Sequence, residues 1–284
     1  MKQLWNKKNS FFLLTILTAL FLAACGGEEE ATEKTEDEAT AWDAIVEEGT
    51  LTVATSGTLY PTSFRAEGTD ELTGFEVEVV REMAERLELE VEFTELGFDE
   101  MLTSVQTGQV DMASNDIEIS PDREDHFLFS EPFKFSHGTA IVRSGDHSGI
   151  ETLEDLAGKK AAGASTSIYM DIAREYGAEE VVYDNATNET YLRDVSIGRT
   201  DVVLNDYYLQ TLAIAAFPDL DIVVHPTLKY SPSKVGVVMN QDNTELADNV
   251  NRVLSEMLED GTIAEISGEF FNGADVTEEV EIEE

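Results

Sequence analysis

The chain has little positive charge. Its 284 residues carry 59 Asp and Glu against 18 Lys and Arg, a formal charge of −41. Nucleic acid is excluded as a partner, because that binding needs a basic surface to displace counterions from phosphates. Docking on anionic lipid head groups is excluded for the same reason. The single cysteine can form neither an internal disulfide nor a multi-cysteine metal site. None of His126, His137, His147 and His225 has a partner at i, i+4, so each reads as surface or packing. Nucleophile elbow, phosphate loop, HExxH and metal-ligand cluster are all missing. No catalytic residue, metal or cofactor is therefore expected, and the chain is not read as an enzyme. No apolar run reaches the ~20 residues of a membrane-spanning helix. What is present is 42% hydrophobic residues, enough for one or two cores. The length suggests two domain-sized units of roughly 150 residues each.

The start of the chain reads as an address. Lys2, Lys7 and Lys8 precede a 14-residue apolar run, Phe11 to Ala24. That is short for a span and suits an export signal. The run closes Leu22-Ala23-Ala24-Cys25, which resembles the bacterial lipoprotein box, where small residues precede a lipidated cysteine. Residues 1–24 are expected to be removed as a signal peptide and Cys25 to carry lipid, which takes the charge from −41 to −44. Residues 25–41 hold seven acids and one lysine. Such a segment has little to bury and extends by self-repulsion, as an acidic disordered tether does. Two or more acyl chains would hold the protein firmly on the membrane. Residues 274–284 (ADVTEEVEIEE) read as a loose acidic tail.

Between the ends, strands alternate with helices. LTVAT (51–55) and LEVEF (89–93) read as strands. Between them Val79, Val80, Met83, Ala84 and Leu87 recur at helical spacing. Phe98 to Gly108 is a helix with Gly108 as its stop. The pattern repeats through strands 159–164, 180–184 and 201–205 and helices reaching Tyr176 and spanning 188–198. SVQTGQVDMASND (104–116) matches DVSIGRTDVVLND (194–206) at an offset of 90 residues, including Asp111/Asp201, Asn115/Asn205 and Asp116/Asp206. This implies two similar α/β lobes. Ligands of open α/β sheets bind beyond the C-terminal strand ends, where both Asn-Asp pairs sit. SKVGVVMN (233–240) reads as a strand leading back to the first lobe and an amphipathic helix from Leu246 to Leu258. Lobe 1 then comprises 42–138 and 237–273, and lobe 2 comprises 139–236. Crossings near Phe135–Ala140 and Ser233–Gly236 would form a two-strand hinge.

From about Thr50 to Thr277 the chain resembles the family 3 extracellular solute-binding proteins, which capture amino acids for ABC importers. The resemblance rests on LTVATSGTLYPTSF (51–64), LTGFEVEVVREMAERL (72–87), FDEMLTSVQTGQVDMA (98–113), SPDREDHFLFSEPF (120–133), LEDLAGKK (153–160), GRTDVVLND (198–206) and LEDGTIAEISGEFF (258–271). The TSGT opening and the closing FFNGADVT look like the cystine and polar amino acid branch. The resemblance implies a two-lobed periplasmic-binding-protein-like (type II) α/β fold, its lobes joined by two hinge strands. It also implies a monomer on the outer face of the cell membrane, with a free amino acid as ligand and ABC permease subunits as partners. An enzyme on the same fold, such as a dehydratase of a small carboxylate, or a ligand-sensing module is the alternative.

An amino acid presents a carboxylate and an ammonium. The carboxylate calls for a guanidinium, which holds it with two parallel hydrogen bonds. Arg123 stands where the family places its carboxylate-binding arginine. Ser120, Thr166 and Ser167 are candidates to complete that cage, the latter two at a helix start. Asp206 matches the family's ammonium-binding acid, and Asp116 occupies the equivalent place in the first lobe. Phe98 and Tyr60 match its wall positions. The chain departs from the family pattern at Leu59 and Thr62, where aromatics are frequent, and at Ser56, where some members carry Asp. Glu118 replaces a Thr that often reaches the ligand. That acid favours a ligand with a cationic group or a second ammonium, such as cystine, lysine or arginine.

Overall fold

The computed structural model describes residues 40–183 and 186–280. The expected signal peptide, Cys25 and almost all of the expected tether lie outside the described residues. All described residues belong to one compact unit.

The chain opens with helix α1 (Ala41–Glu48), capped by the Thr40 side chain. Strand β1 (Thr50–Thr55) follows, then three short strands, β2 (Thr58–Leu59), β3 (Ser63–Arg65) and β4 (Leu72–Thr73), which pair as a small separate sheet. Helix α2 (Phe75–Arg86) starts at Gly74, whose φ is +133°. A Cβ at Gly74 would lie 2.4 Å from the Thr62 carbonyl oxygen, so only glycine lets the helix start dock there. Strand β5 (Glu90–Glu95), helix α3 (Phe98–Gln106), strand β6 (Met112–Ala113), the short helix α4 (Pro121–Glu124) and strand β7 (Phe127–Phe129) complete this part.

The long strand β8 (Lys134–Arg143) then enters the second lobe. Two short turns (His147–Gly149 and Leu153–Leu156) lead to β9 (Lys160–Gly163), α5 (Ile168–Glu175), β10 (Glu179–Val182), α6 (Asn188–Ser196), β11 (Val203–Asp206), α7 (Tyr207–Ala216), β12 (Ile222–Val224) and β13 (Tyr230–Val235). Strand β14 (Val238–Asn240) and helices α8 (Thr244–Glu259) and α9 (Thr262–Phe270) close the fold.

The first sheet has the order β5-β1-β6-β14-β7. The second joins β11, β12 and β13 to β8, with the β9–β10 pair linked through an Ala161–Val202 bridge. Apolar clusters cover both faces of each sheet, as sheets layered between helices require. In lobe 1, Phe75, Met83, Leu246 and Met257 lie on one face and Met101, Val105 and Ile117 on the other. In lobe 2, Tyr169 and Met170 lie on one face and Leu192 and Val195 on the other.

Stretch 233–240 is not one strand. It divides at Gly236 into the end of β13, paired with β8, and β14, paired with β6 and β7 of the first sheet. A single strand cannot serve two sheets without a break, and this break is one crossing. The other runs through the start of β8, whose Phe135 pairs with Lys234.

The C-terminal segment also departs from the loose tail expected from its acidity. Val276 is fully buried, and its carbonyl accepts the Phe135 N–H at 2.7 Å. Ser267 Oγ accepts the Val276 N–H at 3.1 Å. One apolar residue with two backbone anchors therefore ties the start of this segment to a hinge strand.

Candidate functional site

The lobes meet at their strand ends. Residues following β1 and β6 in lobe 1 (Ser56, Asn115, Asp116, Glu118) share one cavity with residues at the ends of β9, β10 and β11 in lobe 2 (Gly163, Tyr183, Asn205). About 110 Å³ of this cavity is open to the centres of water molecules, against ~10–15 Å³ for a single water. A small organic molecule fits. Phe98 and Ser167 line it, as do Leu192, Leu209 and Gln210 from the second lobe. Ser56 and Leu59, two positions where the sequence departs from the family pattern, line it as well.

Arg123 is nine-tenths buried in α4. Its Nη1 donates to the Glu118 carbonyl at 2.8 Å, and its Nη2 to the Thr166 carbonyl of the other lobe at 3.0 Å. Glu118 Oε2 lies 3.4 Å from Nη1. The guanidinium stands 5.5 Å from the centre of the Phe98 ring. A guanidinium has five N–H donors. Its recorded bonds use Nη1 and Nη2, which leaves N–H donors, Nε–H among them, without a partner among the described residues.

Asp206 caps α7: its Oδ1 accepts the Leu209 N–H at 2.9 Å. Its Oδ2 makes no well-aligned hydrogen bond and lies 3.1 Å from Lys134 Nζ. Lys134 is completely buried and donates to Asp116 Oδ1 at 2.5 Å. One ammonium on the hinge strand thus joins an acid from each lobe. Burial alone would lower the lysine pKa, but Asp116 and Asp206 outweigh it and hold the ammonium charged. Asp116 adopts a left-handed backbone (φ +56°), which a short polar side chain tolerates. Its N–H donates to Glu76 Oε1 at 2.8 Å. Burial raises the Asp116 carboxyl well above the usual range, Lys134 opposes this, and the neighbouring acids add to it. Burial likewise raises Glu118 against the pull of Arg123. Glu76, buried at the start of α2 and hydrogen-bonded by the Ser114 hydroxyl, is pushed up to about 7 by burial.

At the cleft rim, Asp99 reaches across from α3. It accepts from Ser165 Oγ at 2.7 Å, Thr166 N at 3.1 Å and Thr166 Oγ1 at 2.5 Å. Burial works to raise its pKa, but these bonds together hold the carboxyl below the usual range. Asn188 Nδ2 donates to the Tyr60 carbonyl at 3.1 Å, a second link between the lobes.

Of the sequence candidates, Phe98, Asp116, Glu118 and Ser167 line the cavity. Arg123 and Asp206 do not line it but bond to Glu118 and Leu209, which do, and Thr166 bonds to Arg123 and Asp99. Ser120 caps α4 with its carbonyl, which accepts the Arg123 and Glu124 N–H groups, and its side chain makes no cap bond. Tyr60 is more than a third exposed, packs edge-on against Phe64, and does not line the cavity. Lys134, Glu76 and Asp99 are not among the residues the sequence singles out. No local pattern marks them, since each acts through partners distant in the chain.

His147, Glu151 and His225 cluster within 4.8 Å outside this cleft. Both ring nitrogens of His225 are engaged: Nδ1 accepts the Leu228 N–H at 2.9 Å, and Nε2 faces the Ile150 carbonyl at 3.0 Å. No lone pair remains on that ring for a metal, so the trio lacks a third ligand.

Two α/β lobes, two crossing strands and a buried polar cleft at facing strand ends define a hinged solute-binding protein. The chain belongs to the bacterial extracellular solute-binding proteins, family 3, whose model matches residues 51–273. It is 56% identical over 283 residues to the "Probable ABC transporter extracellular-binding protein YckB" of Bacillus subtilis (strain 168), covering 99% of this chain and 97% of that one. A crystal structure of YckB superposes with a TM-score of 0.68 at 59% identity, over 86% of this chain and 98% of that one. The L-cystine-binding protein TcyA of the same organism is 31% identical over 274 residues, 95% of this chain and 99% of that protein. An ancestral arginine-binding protein bound to arginine is 27% identical with a TM-score of 0.71, over 78% of this chain and 98% of that one.

Proposed function

We propose that the protein captures a free amino acid between its lobes and presents it to the permease of an ABC importer. Arg123 holds the ligand carboxylate through N–H donors that its protein partners leave free, with Ser167 at the start of α5 nearby. Asp206 Oδ2 receives the ligand ammonium, with Asp116 beside it. Phe98 forms one wall. A buried guanidinium with donors to spare, bonded to Glu118 and set beside Phe98 at the cavity lining, carries this reading.

The hinge runs through β8 and the Val235–Val238 crossing, with lobe 1 as 42–138 and 237–273 and lobe 2 as 139–236. The chain works as a monomer, held at the outer face of the membrane by lipid on Cys25 after loss of residues 1–24. It binds without turnover.

Calorimetric titration with the twenty amino acids and cystine tests the reading. Stoichiometric binding with no product is expected. Arg123→Ala should weaken it by about 2–5 kcal/mol, the usual loss for a truncated buried charge pair. Unchanged affinity would remove Arg123 from the site. Cys25→Ala should lose acyl labelling and appear in the culture medium.

A further inference from the structure

The cleft holds more negative charge than a simple zwitterion can neutralise. Among the described residues lining the cavity, the charged ones are Asp116 and Glu118, both carboxylates. Asp206 stands directly behind, and the buried cations are Arg123 and Lys134. That is three acids against two cations. A zwitterion adds one charge of each sign and leaves the excess unchanged. Glu76 lies further back and binds the Ser114 hydroxyl and the Asp116 N–H, so it brings no relief.

The excess falls on Glu118. Lys134 is 2.5 and 3.1 Å from its two aspartates, whereas among the described residues the one cation within 4 Å of Glu118 is Arg123, at 3.4 Å. Arg123 must also serve the ligand carboxylate. The Tyr169 hydroxyl lies beside Glu118 without a well-formed hydrogen bond. Glu118 is only 4% exposed, so bulk water screens it little. A buried carboxylate whose one cation is shared is costly unless a proton or a further cation meets it, and a cationic ligand can take the place of the proton that burial favours there.

We infer that the ligand's side chain carries a positive group, ammonium or guanidinium, that binds the Glu118 carboxylate. This rests on the amino-acid reading above and names the class of amino acid. The apolar wall from Leu192, Val203 and Leu209 covers a methylene stem. Cystine fits less well, because its second carboxylate would face the cavity wall with no cation among the described lining residues. Aspartate and glutamate fail for the same reason.

Titration of the mature protein with arginine, lysine, glutamine and cystine, repeated on Glu118→Gln, tests this. Arginine or lysine should bind ~10-fold or more tighter than glutamine and cystine. Glu118→Gln should weaken the cationic ligands by ~30-fold or more and glutamine by no more than ~3-fold. Tighter binding of cystine or glutamine by the unsubstituted protein would overturn the inference and leave amino-acid capture standing. Equal losses for all ligands in Glu118→Gln would do the same. Binding of no amino acid would overturn both readings. The panel on the unsubstituted protein decides the matter even if the variant does not fold.

Discussion

The two lobes use one motif in two ways. Asp111 and Asp201, at the same offset of 90, do the same work. Asp111 Oδ2 accepts the Thr52 N–H at 2.8 Å, and Asp201 Oδ2 accepts the Lys160 N–H at 3.0 Å. Each pins a strand to its neighbour. Gly108 and Gly198 also match, at φ +69° and +71°. Beyond the strand ends the copies part. Asn115 accepts the N–H of Ser56 on another loop, while Asn205 accepts that of its own neighbour, Asp206. Asp116 turns left-handed into a loop, and Asp206 caps a helix. The scaffold is repeated, and the site is built where the repeat stops. Lys134 belongs to neither copy of the motif and makes the two acids one site.

The largest expected effect comes from removing that link. Lys134→Met leaves Asp116 and Asp206 without a buried counter-ion and should destabilise the protein by about 3–5 kcal/mol. Urea unfolding measures it. A loss below about 1 kcal/mol would mean that the two lobes' acids are independent after all.

The acids of lobe 1 should reveal themselves by pH. Glu76 is raised from 4.5 to about 7 in the folded protein. Between those values the folded state holds more protons than the unfolded chain, so stability falls as pH rises. Asp116 and Glu118 shift in the same direction. Unfolding free energy should be higher near pH 5 than near pH 8 by on the order of 2–3 kcal/mol. Glu76→Gln should flatten the slope, and an unchanged slope would move its origin elsewhere.

Asp111→Ala and Asp201→Ala give a matched pair. Each removes a strand-pinning carboxylate and should cost about 1–2 kcal/mol. Similar losses sharpen the equivalence of the lobes; a large disparity breaks it. The smallest effect belongs to the surface. At 1 M NaCl the screening length falls to ~3 Å, so self-repulsion from the acidic surface weakens in both lobes. The melting temperature should rise by a few degrees, and equal values with and without salt would count against a stability cost of the acidity.

Much of the fold is legible in the sequence because its strands and helices carry their own periodicity. The helix 98–108, the strand 51–55 and the offset-90 repeat emerge close to where they are expected. Local pattern fails where one segment serves two partners. Stretch 233–240 is uniformly strand-like, yet it divides at Gly236 because two sheets claim its halves. Residues 274–280 look solvated, yet Val276 anchors them to β8.

The sequence alone determined the two α/β lobes, the strand ends carrying the Asn-Asp pairs, and the presence of Arg123 and Glu118 near one of them. Hydrophobic period and turn residues act over a few positions, so one chain contains that information. Only the tertiary structure decided that Lys134 joins Asp116 to Asp206, that Asp99 spans the rim, and that Arg123 bonds to Thr166 of the other lobe. A charge becomes decisive when burial removes water from it, and burial is set by chain segments that meet only on folding.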